Sequence, residues 1–175
     1  MPIGTPLTAV WLWYNSASNY VNSTAEAATD GGTAFEALGQ AADFLYFGFS
    51  RRVDALLFTL TVAGSYGART WAYGAAAATW VTFQPVQEFG LNATTGYMLW
   101  DPKQAADVTA WASFALTNPG THVADPPDAV ARYWLRVSVA TVTTAATVTS
   151  VVGRPYTSYA RAADVQAQLQ LAGAF

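Results

Sequence analysis

The side chains able to make or break bonds are few and scattered. His122 is the only histidine of the 175 residues, and cysteine is absent. A nucleophilic triad needs a base beside a serine and an acid to orient it. His122 sits in Asn118-Pro119-Gly120-Thr121-His122, and no Gly-x-Ser-x-Gly elbow occurs. It therefore reads as an ordinary loop histidine. Asp101, Asp107, Asp125 and Asp128 form the one acidic cluster in sequence. Paired carboxylates can hold a calcium ion or act as acid and base. Their spacing matches no known calcium loop, so they read as solvated loop carboxylates. The expectation is a chain that is not an enzyme: no catalytic residue, no cofactor and no metal.

Binding chemistry has better candidates. Trp71, Tyr73 and Trp80 could form a platform on which a sugar ring stacks, although aromatics in a hairpin also serve as core and cross-strand pairs. Arg51-Arg52 could clamp a carboxylate or phosphate, or form a solvated turn paired locally with Asp54. Arg136 shares an alternating face with Trp134 and Ser138, and is expected to pair with a loop carboxylate or stack on an aromatic. Asn22-Ser23-Thr24 and Asn92-Ala93-Thr94 match the glycosylation triplet, which occurs often by chance.

Composition points to association. Hydrophobic residues make up 53% of the chain and charged residues 11%, against about 25% charged in an average globular domain. So few charges suit a surface partly covered by other protein, because interface cores are depleted in charge. The formal charge of −3 gives no basic footprint for nucleic acid. No stretch reaches the ~18–20 apolar residues of a membrane helix. Residues 1–14 lack the basic start and cleavage pattern of a secretion signal, so export is not expected.

Elements capable of positioning these residues follow from periodicity. Val10, Leu12 and Tyr14 alternate with Trp11 and Trp13, a strand apolar on both sides. Residues 15–42 are rich in Ser, Asn, Ala and Gly and read as a long loop, with a short helix near Phe35–Ala42. Short strands follow at Phe44–Phe49 and at 55–62, where Leu56, Phe58, Leu60 and Val62 form a period-2 core face. A hairpin joins Trp71 to Trp80, a strand runs through Gly96–Trp100, and residues 132–139 and 145–152 are the last two. Trp111 and Phe114 anchor an otherwise irregular 101–131. Trp71, Trp80, Trp100, Trp134, Phe47 and Phe58 are expected to fill one core. After Gly153-Arg154-Pro155 the Ala, Gln and Leu content favours a short helix or an arm.

This is the pattern of an all-β chain: an antiparallel β-sandwich, jelly-roll-like, with a short C-terminal helix or arm. Its parts are an N-terminal strand and arm over 1–42, a sandwich over 43–152, and a tail over 153–175. Trp11, Trp13, Leu169, Leu171 and Phe175 are the interface candidates, and at least one end is expected to reach a neighbouring subunit.

The order of motifs carries a resemblance. Leu45-Tyr46-Phe47-Gly48-Phe49, the strand Ala55–Leu60, the Trp71-Ala72-Tyr73-Gly74 hairpin closing at Trp80, Gly96-Tyr97-Met98-Leu99-Trp100-Asp101-Pro102, Trp111 and Tyr133-Trp134-Leu135-Arg136-Val137 succeed one another. That succession resembles a β-sandwich domain of tailed-bacteriophage structural proteins over about residues 43–152. The second aromatic and the Asn of that family's hairpin are missing, since Gly74 follows Tyr73 directly. The resemblance implies a virion structural role. Small size, low charge and spare apolar surface suit a capsid decoration (cement) protein that binds the outer head surface as a homo-oligomer, a trimer by preference. Its partners would be itself and the major capsid protein or other virion proteins, with neither nucleic acid nor membrane. Its location would be the phage particle, after assembly in the host cytoplasm. A tail, neck or baseplate component and a carbohydrate- or receptor-binding module are the alternatives.

Overall fold

The computed structural model describes residues 5–6, 9–14, 19–28, 33–76, 79–85, 87–88, 91–92, 95–99, 111–116 and 128–155. They form β1 (Thr5–Pro6), β2 (Ala9–Tyr14), β3 (Asn19–Asn22), α1 (Thr24–Ala28), β4 (Phe35–Ala37), β5 (Phe44–Phe49), β6 (Val53–Val62), β7 (Ser65–Tyr66), β8 (Arg69–Ala76), β9 (Thr79–Phe83), β10 (Gln87–Glu88), β11 (Thr95–Leu99), β12 (Ser113–Leu116), β13 (Asp128–Val139), β14 (Val142–Thr144) and β15 (Ala146–Pro155). One sheet runs β1-β15-β6-β11-β10, with β4 also on β15. The other runs β3-β2-β5-β13-β8-β9, with β12 also on β13. A small β7–β14 pair completes them. The long strands β5, β6, β8, β11, β13 and β15 fall alternately in the second and first sheets. The result is the expected antiparallel β-sandwich.

Its inner layer is apolar because each strand contributes every second residue. From the second sheet come Val10, Leu45, Phe47, Trp71, Tyr73, Leu135 and Val137; from the first come Leu56, Phe58, Leu60, Val148 and Val151. All are buried in one cluster. Burying a side chain of this size contributes about 1.5–3 kcal/mol. Phe47 stands edge-on to Phe58 with centroids 5.7 Å apart, so aromatic contact adds to the area term across the two sheets.

Several expectations need correction. Residues 15–42 are not one loop, since they hold β3, α1 and β4. The helix placed near Phe35–Ala42 is strand β4, in which Phe35 and Ala37 are buried while Glu36 is exposed. Leu38 and Ala42 then take positive φ values of 56° and 70°, which no helix tolerates. The backbone N–H of Gln40 donates to Asp43 Oδ2 at 3.0 Å and holds this turn. Val62 is 44% exposed rather than core, because β15 shifts register between Thr147 and Val148, opposite the end of β6. Residues 101–131 are not irregular throughout: β12 occupies 113–116 and β13 begins at Asp128. The C-terminal helix or arm, with Leu169, Leu171 and Phe175, lies outside the described residues, as do Trp100 and His122.

Tyr66 ties the sheets' margin together. Its hydroxyl donates to the carbonyl of Ala37 and accepts from the N–H of Ala146 at 2.6 Å. Burial is the main cause that pushes its pKa up to about 12 from 10.0. A folded-state pKa above the unfolded one means the folded chain holds its proton longer. The linked stability is fully present below pH 10 and lost as pH rises toward 12. Urea midpoints measured across that window should fall more steeply for the wild type than for Tyr66→Phe.

Candidate functional site

The faces of β13 divide the chemistry. Leu135, Val137 and Val139 point into the sandwich and are buried there. Trp134, Arg136 and Ser138 alternate with them and belong to the opposite, outer face. Cross-strand register then assembles the neighbours. On β5, Gly48 stands opposite Trp134, Tyr46 opposite Arg136 and Phe44 opposite Ser138. On β8, Ala72 stands opposite Arg136, and in turn pairs with Thr82 of β9. Trp80 of β9 stands opposite Gly74.

Small residues create the space these rings use. A Cβ at Gly48 would come within 2.8 Å of the Trp134 ring and 2.6 Å of the Arg132 side chain. At Gly74 it would collide with the Phe114 ring. Ala72 offers only a methyl between β13 and β9. Trp80 therefore reaches across β8, so that the Arg136 guanidinium carbon lies 4.4 Å from the Trp80 ring centroid and 5.1 Å from that of Phe44. Tyr46 stands edge-on to Trp80 at 5.7 Å and to Tyr20 at 6.1 Å, and Phe114 meets Trp80 at 6.3 Å. Phe44, Tyr46, Leu116 and Trp134 are the buried members of this second apolar cluster; Tyr20, Trp80 and Phe114 pack on it half-exposed. Trp134 is fully buried, as expected, but in this outer cluster rather than between the sheets.

The hydrogen bonds of the cluster are uneven. Trp134 Nε1–H donates to the carbonyl of Phe114 at 2.9 Å, and Trp111 Nε1–H to the carbonyl of Trp134 at 3.1 Å, which fastens the β12 segment to β13. Trp80 Nε1 and Arg136 Nη1 are buried atoms with no hydrogen-bond partner among the described residues. A buried donor without an acceptor costs about 1–3 kcal/mol, and more when charged. Cation–π contact with the two rings returns roughly 0.5–2 kcal/mol. Chemically this is an apolar, aromatic cluster holding two buried donors, one of them cationic.

The other candidates fare differently. Trp71, Tyr73 and Trp80 do not form one platform. The register pairs Trp71 with Phe83 and Tyr73 with Val81, so these four share the inner face, while Trp80 takes the other. Trp71 and Tyr73 are accordingly 2% and 5% exposed. Trp71 Nε1–H donates to Glu88 Oε1 at 2.7 Å, and Glu88 also forms an ion pair with Arg69. Arg52 is no free clamp, for its Nε–H donates to the carbonyl of Trp111 at 3.0 Å and its guanidinium lies 5.5 Å over the Tyr133 ring. Arg51 is exposed. The side chain of Asn22 accepts from the N–H of Thr24 at 3.0 Å, and that of Asn92 from Arg69 at 2.7 Å. Trp11 and Trp13 pair in the backbone register with Tyr46 and Phe44; their side chains lie outside what is described. Among the described residues no three His, Cys, Asp or Glu side chains gather as a metal site. Asp101, Asp107 and Asp125 lie outside them. The stacking of Arg136 on aromatics is as the sequence suggested. The roles of Tyr20, Phe44 and Tyr46 were not foreseen, although the unbroken apolar run of β5 carried the signal: a strand apolar on both faces has two layers to serve.

No protein-family model matches the chain, and no curated protein matches it. Among solved structures, the chain is similar to the CBM32 of AlyQ in complex with 4,5-unsaturated mannuronic acid, with a TM-score of 0.50, 10% identity, and coverage of 86% of this chain and 96% of that one. At that identity the likeness speaks to the fold, and that neighbour is a carbohydrate-binding module.

Replacing Arg136 with Met keeps the stem that covers the rings and removes the unpaired buried donor. Exchanging a buried charge for an apolar side chain of similar volume is commonly neutral or stabilising. Urea denaturation of Arg136→Met should give a stability within about 1 kcal/mol of wild type, or higher. A loss of more than about 2 kcal/mol would make Arg136 a structural residue held by its ring contacts. Trp134→Ala, by contrast, should cost about 3–5 kcal/mol.

Proposed function

We propose that this chain is a non-catalytic carbohydrate-binding module, with its sugar site on the outer face of the second sheet around Trp80, Arg136, Tyr46 and Phe114. The observation that carries this reading is the pairing of partly buried aromatic rings with two donors that have no acceptor among the described residues, Trp80 Nε1 and Arg136 Nη1. Sugars offer both halves of that match. A pyranose ring has an apolar C–H face that lies on an aromatic surface, and its edge is ringed by oxygen acceptors. Binding sites of this type combine apolar walls with a few placed polar groups. The fold supports the reading, since the sandwich of the AlyQ CBM32, which holds 4,5-unsaturated mannuronic acid, is superimposable on most of this chain.

A second reading is a virion structural component, a cement, tail or baseplate part assembled as a homo-oligomer. It is favoured by the motif order from Leu45 to Val137 and by the 11% charged content. Exposed Val21, Leu57, Val62 and Val130 add apolar surface of the kind a neighbour covers. The two readings are compatible, because a particle can carry a sugar-binding module. Sedimentation of the purified chain tests the oligomer directly: a trimer supports the second reading, and a soluble monomer with no contact above about 800 Å² in a particle contradicts it.

For the first reading, the chain should bind immobilised polysaccharides in affinity electrophoresis. Trp80→Ala should weaken that binding by about tenfold or more, equivalent to 1.4 kcal/mol, while Arg51→Ala leaves it unchanged. Near-UV circular dichroism of both variants shows that the sandwich persists. Binding that is indifferent to Trp80 would remove the site from this face.

A further inference from the structure

We infer, resting on the carbohydrate reading, that the group seated against Arg136 is a carboxylate carried on a sugar ring, so that the module selects uronic-acid polysaccharides over neutral ones. Three observations converge. The guanidinium of Arg136 lies against the Trp80 and Phe44 rings at 4.4 Å and 5.1 Å, which fixes its plane before any ligand arrives. It takes part in no ion pair among the described residues, where Arg69–Glu88 is the pair formed. Its Nη1, and Trp80 Nε1 beside it, are buried without acceptors.

A neutral hydroxyl could satisfy one donor and would leave the buried charge uncompensated. A carboxylate supplies two acceptor oxygens and the missing negative charge at once, in the bidentate geometry that guanidinium favours. Because the side chain is already held by its ring contacts, little rotamer entropy is left to lose on binding. Free phosphate or sulfate meets the charge equally well but brings no apolar face for Trp80, Tyr46 and Phe114. The rings and the cation together define a hydrophobic ring bearing an acid, and on the sugar reading that is a uronate. The formal charge of −3 means that no long-range field draws a polyanion in. Selectivity therefore resides at this one guanidinium.

The experiment is titration calorimetry of the full chain with an oligo-uronate and with its carboxyl-reduced, neutral counterpart of the same linkage. Wild type, Arg136→Lys and Arg136→Gln are compared, each checked for an unchanged melting transition. The expected result is at least tenfold tighter binding of the acidic oligomer by wild type. That preference should be reduced in Arg136→Lys, which keeps the charge without the fork, and abolished in Arg136→Gln, which should bind the acidic and the neutral oligomer equally. Equal binding of both oligomers by wild type would overturn the carboxylate inference and leave the carbohydrate reading standing. An acidic preference that survives in folded Arg136→Gln would also overturn it, by placing the anion elsewhere. Failure to bind either oligomer would overturn the uronate inference, and failure to bind any immobilised polysaccharide as well would remove the carbohydrate reading.

Discussion

Backbone hydrogen bonds hold β13 between β5 on one edge and β8 with β12 on the other. A strand fixed on both edges must send alternate side chains to opposite faces, and in β13 each face has its own apolar layer. The inner layer is the ordinary core of a two-sheet sandwich. Among the described residues the outer one has no third sheet to pack on, and the side chains cover one another. Trp134 lies in the room left by Gly48, Trp80 crosses β8 above Ala72, and Phe114 enters over Gly74. The segment bearing β12 is fastened there by two indole hydrogen bonds, and two of its residues, Phe114 and Leu116, join the outer cluster.

That arrangement leaves a local imbalance which the sandwich does not need. The indole donors of Trp111 and Trp134 reach backbone carbonyls, whereas Trp80 Nε1 and Arg136 Nη1 reach nothing among the described residues. An apolar side chain of similar volume at position 136 would commonly be neutral or stabilising. On the proposed reading, the cation among the rings is kept for recognition, a balance found at binding sites more than in cores. In the inner cluster the indole of Trp71 meets Glu88, which in turn meets Arg69.

Much of the fold was legible in the sequence. The alternation over 55–62, the Val- and Thr-rich strands over 132–139 and 145–152, the apolar run Phe44–Phe49 and glycine-punctuated connections were enough for a sandwich. The short pieces were not legible. Phe35–Ala37 offers three residues of pattern, and its strand character comes from pairing with β15 more than a hundred residues away. The candidate site was half legible. Arg136 on an aromatic face followed from alternation, yet its partners Phe44 and Trp80 are brought by β5 and β9, and no local pattern names them. The supposed Trp71–Tyr73–Trp80 platform failed on parity. Which face Trp80 takes depends on the register through the turn, and a change of one residue there exchanges the faces of the whole strand. A register shift between Gly74 and Ala76 lies in that stretch.

On the proposed reading, ligand meets the outer face at Trp80 and Arg136. The most direct test is to follow the indole Nε1–H resonances of the seven tryptophans by nuclear magnetic resonance while an oligo-uronate is titrated in, with assignments from single Trp→Phe variants. The account predicts that the Trp80 indole signal moves saturably, by more than that of Trp71, whose donor is already taken by Glu88 on the far side of the sheet. A titration that saturates elsewhere on the chain while the Trp80 signal stays fixed would contradict it.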